Sequence, residues 1–117
     1  MVGFRESAIC GNTVALPQGI SDLLGKTAKL YACRSYAGPY GIIELYPTDI
    51  FKGGADDIYE LRRKRGERDR KIIIGDDDCA FLGERTDGDV VFCGALDHIE
   101  LWGACSWMLY WEDHGAA

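Results

Sequence analysis

The chain has 117 residues, of which 47% are hydrophobic and 27% charged, with a formal net charge of −6. That length supports one compact domain and excludes two independent cores, and the composition excludes wholesale disorder. No apolar run approaches the ~18 residues of a membrane span. The acid and the polar break in MVGFRESAICGN interrupt what a secretion signal needs as a continuous apolar core, so a cytoplasmic protein is expected.

In chain order, residues 13–16 form a short apolar run that reads as a strand, ended by Pro17. A short helix is predicted next, with apolar positions Ile20, Leu23 and Leu24 and with Gly25 as a left-handed C-cap. AKLYAC and GIIELY alternate as a hairpin, and the glycine- and proline-rich RSYAGPYG (residues 34–41) is expected as its loop. Residues 48–64 are predicted as a longer helix. The Gly53-Gly54 pair delays its start to Ala55, which puts Asp56 and Asp57 at its N-terminus and Arg62, Arg63, Lys64 and Arg65 at its C-terminus, the order a helix dipole favours. Gly66 ends it and reverses the chain.

Seven of the thirteen basic residues, Arg62, Arg63, Lys64, Arg65, Arg68, Arg70 and Lys71, fall within ten positions. With Glu67 and Asp69 this window carries +5, so the other 107 residues, with six cations and seventeen acids, carry −11. Overall acidity disfavours non-specific nucleic-acid binding, yet the patch creates a local positive field within a Debye length of roughly 8 to 10 Å. Residues 71–74 read as a second strand, broken by Gly75. A second short helix follows, with Asp76, Asp77 and Asp78 in its first turn, Cys79, Phe81 and Leu82 as its apolar positions and Gly83 as its cap. DVVFCG and HIELW form a second hairpin, and a terminal helix is predicted from Ser106 to about His114.

The two halves are similar to one another. VALPQGISDLLG (residues 14–25) aligns with IIIGDDDCAFLG (72–83), pairing Val14 with Ile72, Leu16 with Ile74, Leu24 with Leu82 and Gly25 with Gly83. Downstream, Ile43, Glu44, Leu45 and Tyr46 fall on Ile99, Glu100, Leu101 and Trp102, and Phe51 on Trp107; the offset drops from 58 to 56, so the first copy holds two extra residues, assigned to the loop at 34–41. One domain over residues 1–117 is expected, made of two pseudo-symmetric repeats at about 11–66 and 67–117. Neither copy buries much alone, so each should complete the other's core, with Trp102, Trp107, Trp111, Tyr46, Tyr110, Phe51 and Phe81 supplying the joint.

A strand ending in LP, a helix ending in LLG, and a hairpin closing on IELYP or IELW, all in tandem from about Gly11 to Trp107, resemble the AbrB/MazE/MraZ superfamily, and MraZ in particular. The resemblance implies a mainly β fold with short helices, a swapped-hairpin double-split β-barrel of two tandem repeats. It also implies assembly into rings or other homo-oligomers, sequence-specific DNA binding in transcriptional regulation, and no enzyme activity. Family repeats carry an acidic residue and, four positions on, an arginine that serves DNA contact; in the second copy these positions are Glu67 and Lys71, and in the first they are Ile9 and Thr13, which do not match. Lysine lacks the bidentate fork with which arginine reads guanine.

Double-stranded DNA is therefore the expected partner. Arg68, Arg70 and Lys71 are the leading contacts, and Arg62, Arg63, Lys64 and Arg65 hold phosphates. A cytoplasmic, nucleoid-associated homo-oligomer is expected, with no membrane partner and no small-molecule ligand. The other reading of the same residues is a degenerate MraZ-like barrel that serves as an interaction or assembly module without binding DNA.

No catalytic residue, metal site or cofactor is expected. GDDDC (75–79) resembles a Mg²⁺ site but reads as helix-capping acids, Asp97-His98 has no placed nucleophile, and TDGD (86–89) and AGPYG (37–41) are turn chemistry. Cys10, Cys33, Cys79, Cys93 and Cys105 show no C-x-x-C spacing and read as small apolar core residues in a reducing compartment.

Overall fold

The structure, a computed structural model of the chain, describes residues 3–48, 54–95 and 97–113. Eight strands and three short helices follow in the order β1 (Gly3–Cys10), β2 (Thr13–Ala15), α1 (Gln18–Leu24), β3 (Lys29–Ala37), β4 (Tyr40–Pro47), β5 (Asp57–Glu60), β6 (Lys71–Ile73), α2 (Asp76–Phe81), β7 (Asp89–Gly94), β8 (Ile99–Gly103) and α3 (Ala104–Asp113). The strands form one antiparallel sheet ordered β5-β3-β4-β8-β7-β1-β2-β6. Its two ends nearly meet: Arg62 and Lys71 exchange backbone hydrogen bonds of 2.9 and 2.7 Å, bringing the ends of β5 and β6 together in a nearly closed barrel. Closure pairs edges that an open sheet would leave as unsatisfied backbone.

Strand alternation decides what fills the barrel. Leu30, Ile43, Leu45, Val90, Phe92, Ile99 and Leu101 point inward, where they join Val14, Leu16, Ile72 and Ile74 and the helix residues Ile20, Leu24, Cys79 and Leu82. Some outward residues of β4, β7 and β8 are also buried. Ile42, Val91, Cys93 and Trp102 lie beneath α3, whose Trp107 and Tyr110 pack on them. The middle of the sheet is thus covered on both faces.

Two pairings fall at the offsets of the sequence repeat. Val14 faces Ile72 in the β2–β6 ladder, and Glu44 faces Glu100 in the β4–β8 ladder, with Ile43 opposite Leu101 and Leu45 opposite Ile99. Likewise β1 pairs with β7 and β5 with β3. Gly25 and Gly83, expected as caps, take positive φ of 62° and 74°.

Several expectations are corrected. The helix predicted over 48–64 is absent among the described residues: Asp57–Glu60 is strand β5, paired to β3. Ile58 and Tyr59 favour a pleated strand, and the free edge of β3 offers it a ladder. Asp56 therefore caps no helix; its carboxylate accepts a hydrogen bond from the Arg34 backbone N–H at 2.7 Å. Residues 49–53 of that predicted helix, with Phe51, lie outside the described residues, as does His114. Residues 34–41 are not a loop. Ala37 pairs with Tyr40 around a two-residue Gly38-Pro39 turn, so the extra residues lengthen the hairpin strands.

The aromatic residues do meet across the two halves, Tyr46 against His98, Phe81 against Tyr36 and Tyr110 against Tyr40. Trp102, Trp107, Trp111 and Tyr110 form a chain of edge contacts that seats α3 on the outside of the sheet, whereas the inner contacts between β4 and β8 are aliphatic. Of the cysteines, Cys79 and Cys93 are buried, but Cys10 and Cys105 are exposed and Cys33 is half-buried.

Candidate nucleic-acid interface

The basic segment is the connection between β5 and β6, at the place where the barrel closes. Gly66, with φ of 86°, sits in a reverse turn closed by the Glu67 N–H on the Lys64 carbonyl at 3.0 Å, a backbone position that favours glycine. The paired backbones of Arg62 and Lys71 form the neck of this loop. Arg62, Arg63, Lys64, Arg65 and Arg68 are all exposed.

The seven cations divide by what holds them. Arg62 forms a two-pronged pair with Glu60, and that arginine holds the Glu60 carboxyl below its ordinary pKa. Lys71 Nζ lies 3.0 Å from Glu67 Oε2 as an ion pair without hydrogen-bond geometry, so this acid and the base four positions on face one another. Arg70 is different in kind. Its Nε donates to Ser21 Oγ at 2.8 Å, and its terminal nitrogens donate to the carbonyls of Ser21 and Thr27 at 2.5 and 3.1 Å. The guanidinium thus ties the loop to the C-terminal end of α1, and burial, then the nearby charge of Arg63, lowers its pKa. Two of its five N–H donors remain for anything else.

Arg62, Arg63, Lys64 and Lys71 line one groove of about 710 Å³. Small side chains from the neighbouring strands, Ala8, Cys10, Thr13 and Ala15, and exposed Ile73 form its other walls. Sequence reasoning identified the cations but not the strand β1 that walls the groove. The hairpin β1–β2 turns at Gly11 and Asn12, both with positive φ (57° and 65°), and a Gly-Asn pair between two strands was the available signal.

The carboxylates of GDDDC occupy the first turn of α2, as their spacing suggested. Asp78 is buried and accepts from Tyr59 Oη at 2.6 Å and from Arg34 at 3.0 Å, which engages both of its oxygens. Among the described residues, the one group of three metal-capable side chains is elsewhere: Glu44, His98 and Glu100. No helix among the described residues is long and apolar enough to cross a membrane. The chain matches no protein-family model and no curated protein sequence.

Proposed function

We propose that this chain is a DNA-binding transcriptional regulator of the MraZ/AbrB type, built as a swapped-hairpin barrel of two tandem repeats. The β5–β6 loop is its phosphate-binding element. The observation that carries the reading is the groove in which Arg62, Arg63, Lys64 and Lys71 converge. In a chain of net charge −6, that concentration of cations on one rim is a local attractor for a polyanion.

The repeat is supported by register: Val14 opposite Ile72 and Glu44 opposite Glu100 are the pairings that a two-fold relation between aligned copies requires. In this reading Arg62, Arg63, Lys64, Arg65 and Arg68 contact the backbone, Lys71 approaches from the groove floor, and Arg70 serves mainly to anchor the loop on α1. A single patch binds weakly, so assembly into a homo-oligomer supplies avidity on repeated sites.

The test is fluorescence anisotropy with a labelled duplex across a salt series. If about four phosphates are neutralised, log K falls with log salt at a slope near −3.6. Replacing Arg62, Arg63, Lys64 and Arg65 by Ala should flatten that slope by about 0.9 for each phosphate no longer neutralised. Arg70 is left intact so that α1 stays anchored. Absence of binding at ~50 mM salt overturns the reading in favour of an interaction module. One observation favours that second reading: the opposite hairpin turn, Gly11-Asn12, has no cation of its own.

A further inference from the structure

We propose that Glu44, His98 and Glu100 form a binding site for a first-row divalent cation, Zn²⁺ foremost, that clips β4 to β8 on the outer face of the barrel. No motif in the sequence pointed to a metal here. The site is distinct from the basic loop and does not depend on the DNA reading.

The ligand atoms come together through register. Glu44 and Glu100 are direct cross-strand partners on the outward side of β4 and β8. Two like charges in that arrangement repel, which disfavours the pair unless something positive lies between them. His98, one residue before β8, brings Nε2 to 3.3 Å from Glu44 Oε2 and 3.8 Å from Glu100 Oε2. Two ligands on one tetrahedral Zn²⁺ at about 2.0–2.1 Å are about 3.3–3.4 Å apart. The first distance is already that of a ligand edge, the second needs a small closure, and the two carboxylates, in a group whose ligand atoms all lie within 4.8 Å of one another, must draw together around the ion.

The surroundings orient each ligand as metal sites do. His98 Nδ1–H donates to Asp97 Oδ1 at 2.7 Å, which leaves Nε2 as the nitrogen facing the two carboxylates. A carboxylate on the far nitrogen of a ligating histidine fixes its tautomer and raises its basicity. Trp102 Nε1 donates to Glu100 Oε1 at 3.2 Å, leaving Oε2 turned toward the histidine. The Tyr46 ring stacks on the imidazole at 4.8 Å and holds its plane.

The decisive feature is Nε2 itself. It is shielded from solvent and makes no hydrogen bond: Glu44 Oε2 lies at 3.3 Å but without hydrogen-bond geometry, and Glu100 Oε2 at 3.8 Å is too far for one. A buried ring nitrogen aimed between two carboxylates is left unsatisfied by the protein alone. A histidine with two carboxylates is a donor set that Zn²⁺ and its first-row neighbours accept, and Mg²⁺, which prefers an all-oxygen octahedron, does not.

The test is calorimetric titration of the whole chain with Zn²⁺, repeated with Mg²⁺ and with Co²⁺ as a spectroscopic probe. One equivalent of Zn²⁺ should bind and raise the melting temperature, with no comparable effect of Mg²⁺. His98→Ala should weaken binding by about 100-fold or more, and Asp97→Asn, whose side chain touches no metal, by about 10–100-fold. Glu44→Gln with Glu100→Gln removes the repulsion without removing the histidine. This double variant should keep the wild-type circular dichroism spectrum and lose Zn²⁺ binding, so the proposal remains testable if His98→Ala misfolds. Failure to bind one equivalent, unchanged affinity in the double variant, or a thiolate charge-transfer band with Co²⁺, which would assign the metal to cysteines, each overturns the proposal.

Discussion

Asp78 shows how one buried charge sets a local rule. It is 7% exposed, and its two oxygens are taken by Tyr59 and Arg34, from β5 and β3, so the start of α2 is pinned to two neighbouring strands. The sequence places Asp78 correctly as a first-turn acid, but its partners lie 19 and 44 residues away and no local pattern announces them. The consequence is a pH dependence at the alkaline end. Burial of Tyr59, then its hydrogen bond to Asp78, push its pKa far above the ordinary phenol value. Above about pH 10 the unfolded chain loses this proton while the native chain keeps it, so the native state binds more protons and stability falls as pH rises. The tyrosine's contribution is intact below pH ~10 and erodes above it by about 1.4 kcal/mol per pH unit. Tyr59→Phe should remove that part of the slope while costing about 1.5–3 kcal/mol at neutral pH from the lost hydrogen bond to a carboxylate. Urea unfolding between neutral and alkaline pH measures both; an unchanged alkaline slope in the variant would show that Tyr59 is not the group responsible.

At the scale of elements, α2 is seated by glycine. A Cβ on Gly41, at the start of β4, would collide with the Phe81 carbonyl, and one on Gly103, at the end of β8, with the Leu82 carbonyl. Neither glycine has positive φ, so the constraint is close backbone approach and not backbone conformation. Because the obstacle in each case is main chain, relief requires moving α2 off the sheet. Gly41→Ala and Gly103→Ala should each destabilise by about 1–3 kcal/mol, the range for overpacking a filled site. Gly54→Ala, where nothing lies within 4 Å, should be near neutral. Chemical denaturation of the three variants checks the ordering. The elements legible in the sequence are β2, β6, α1, α2, both hairpins and the terminal helix α3. The two missed strands bury little. Among residues 4–10 of β1 only Ile9, and within β5 only Tyr59, is buried, so neither shows the alternation that identifies a strand; each exists because a neighbouring edge is available. Misreading β5 as helix also misassigned its charges, since a dipole explanation for Arg62 to Arg65 needs a helix that is not there. The candidate cation site was illegible for the same kind of reason: Glu44 and Glu100 meet through register, 56 residues apart.

For the whole molecule, the sheet is a single cooperative object whose halves cannot separate without losing it. A cut between Arg65 and Gly66, in the exposed turn of the basic loop, divides the chain so that the β1–β7, β2–β6 and β4–β8 ladders all join one fragment to the other. These ladders include Val14 against Ile72 and Leu45 against Ile99, side chains fully or almost fully buried, so separating the fragments would expose the centre of the core to water. Trypsin should find this loop first, because it offers five exposed cations on a surface turn. The nicked protein should then run as two bands under denaturing conditions yet elute from a sizing column at the position of the intact chain. Folding of the nicked protein becomes bimolecular, so its melting temperature should fall and depend on protein concentration, whereas that of the intact chain should not unless its own assembly is linked to folding. Fragments that separate in native buffer while each keeps its circular dichroism would mean that each half has its own core, and the cross-half pairings would then contribute little to holding the barrel together.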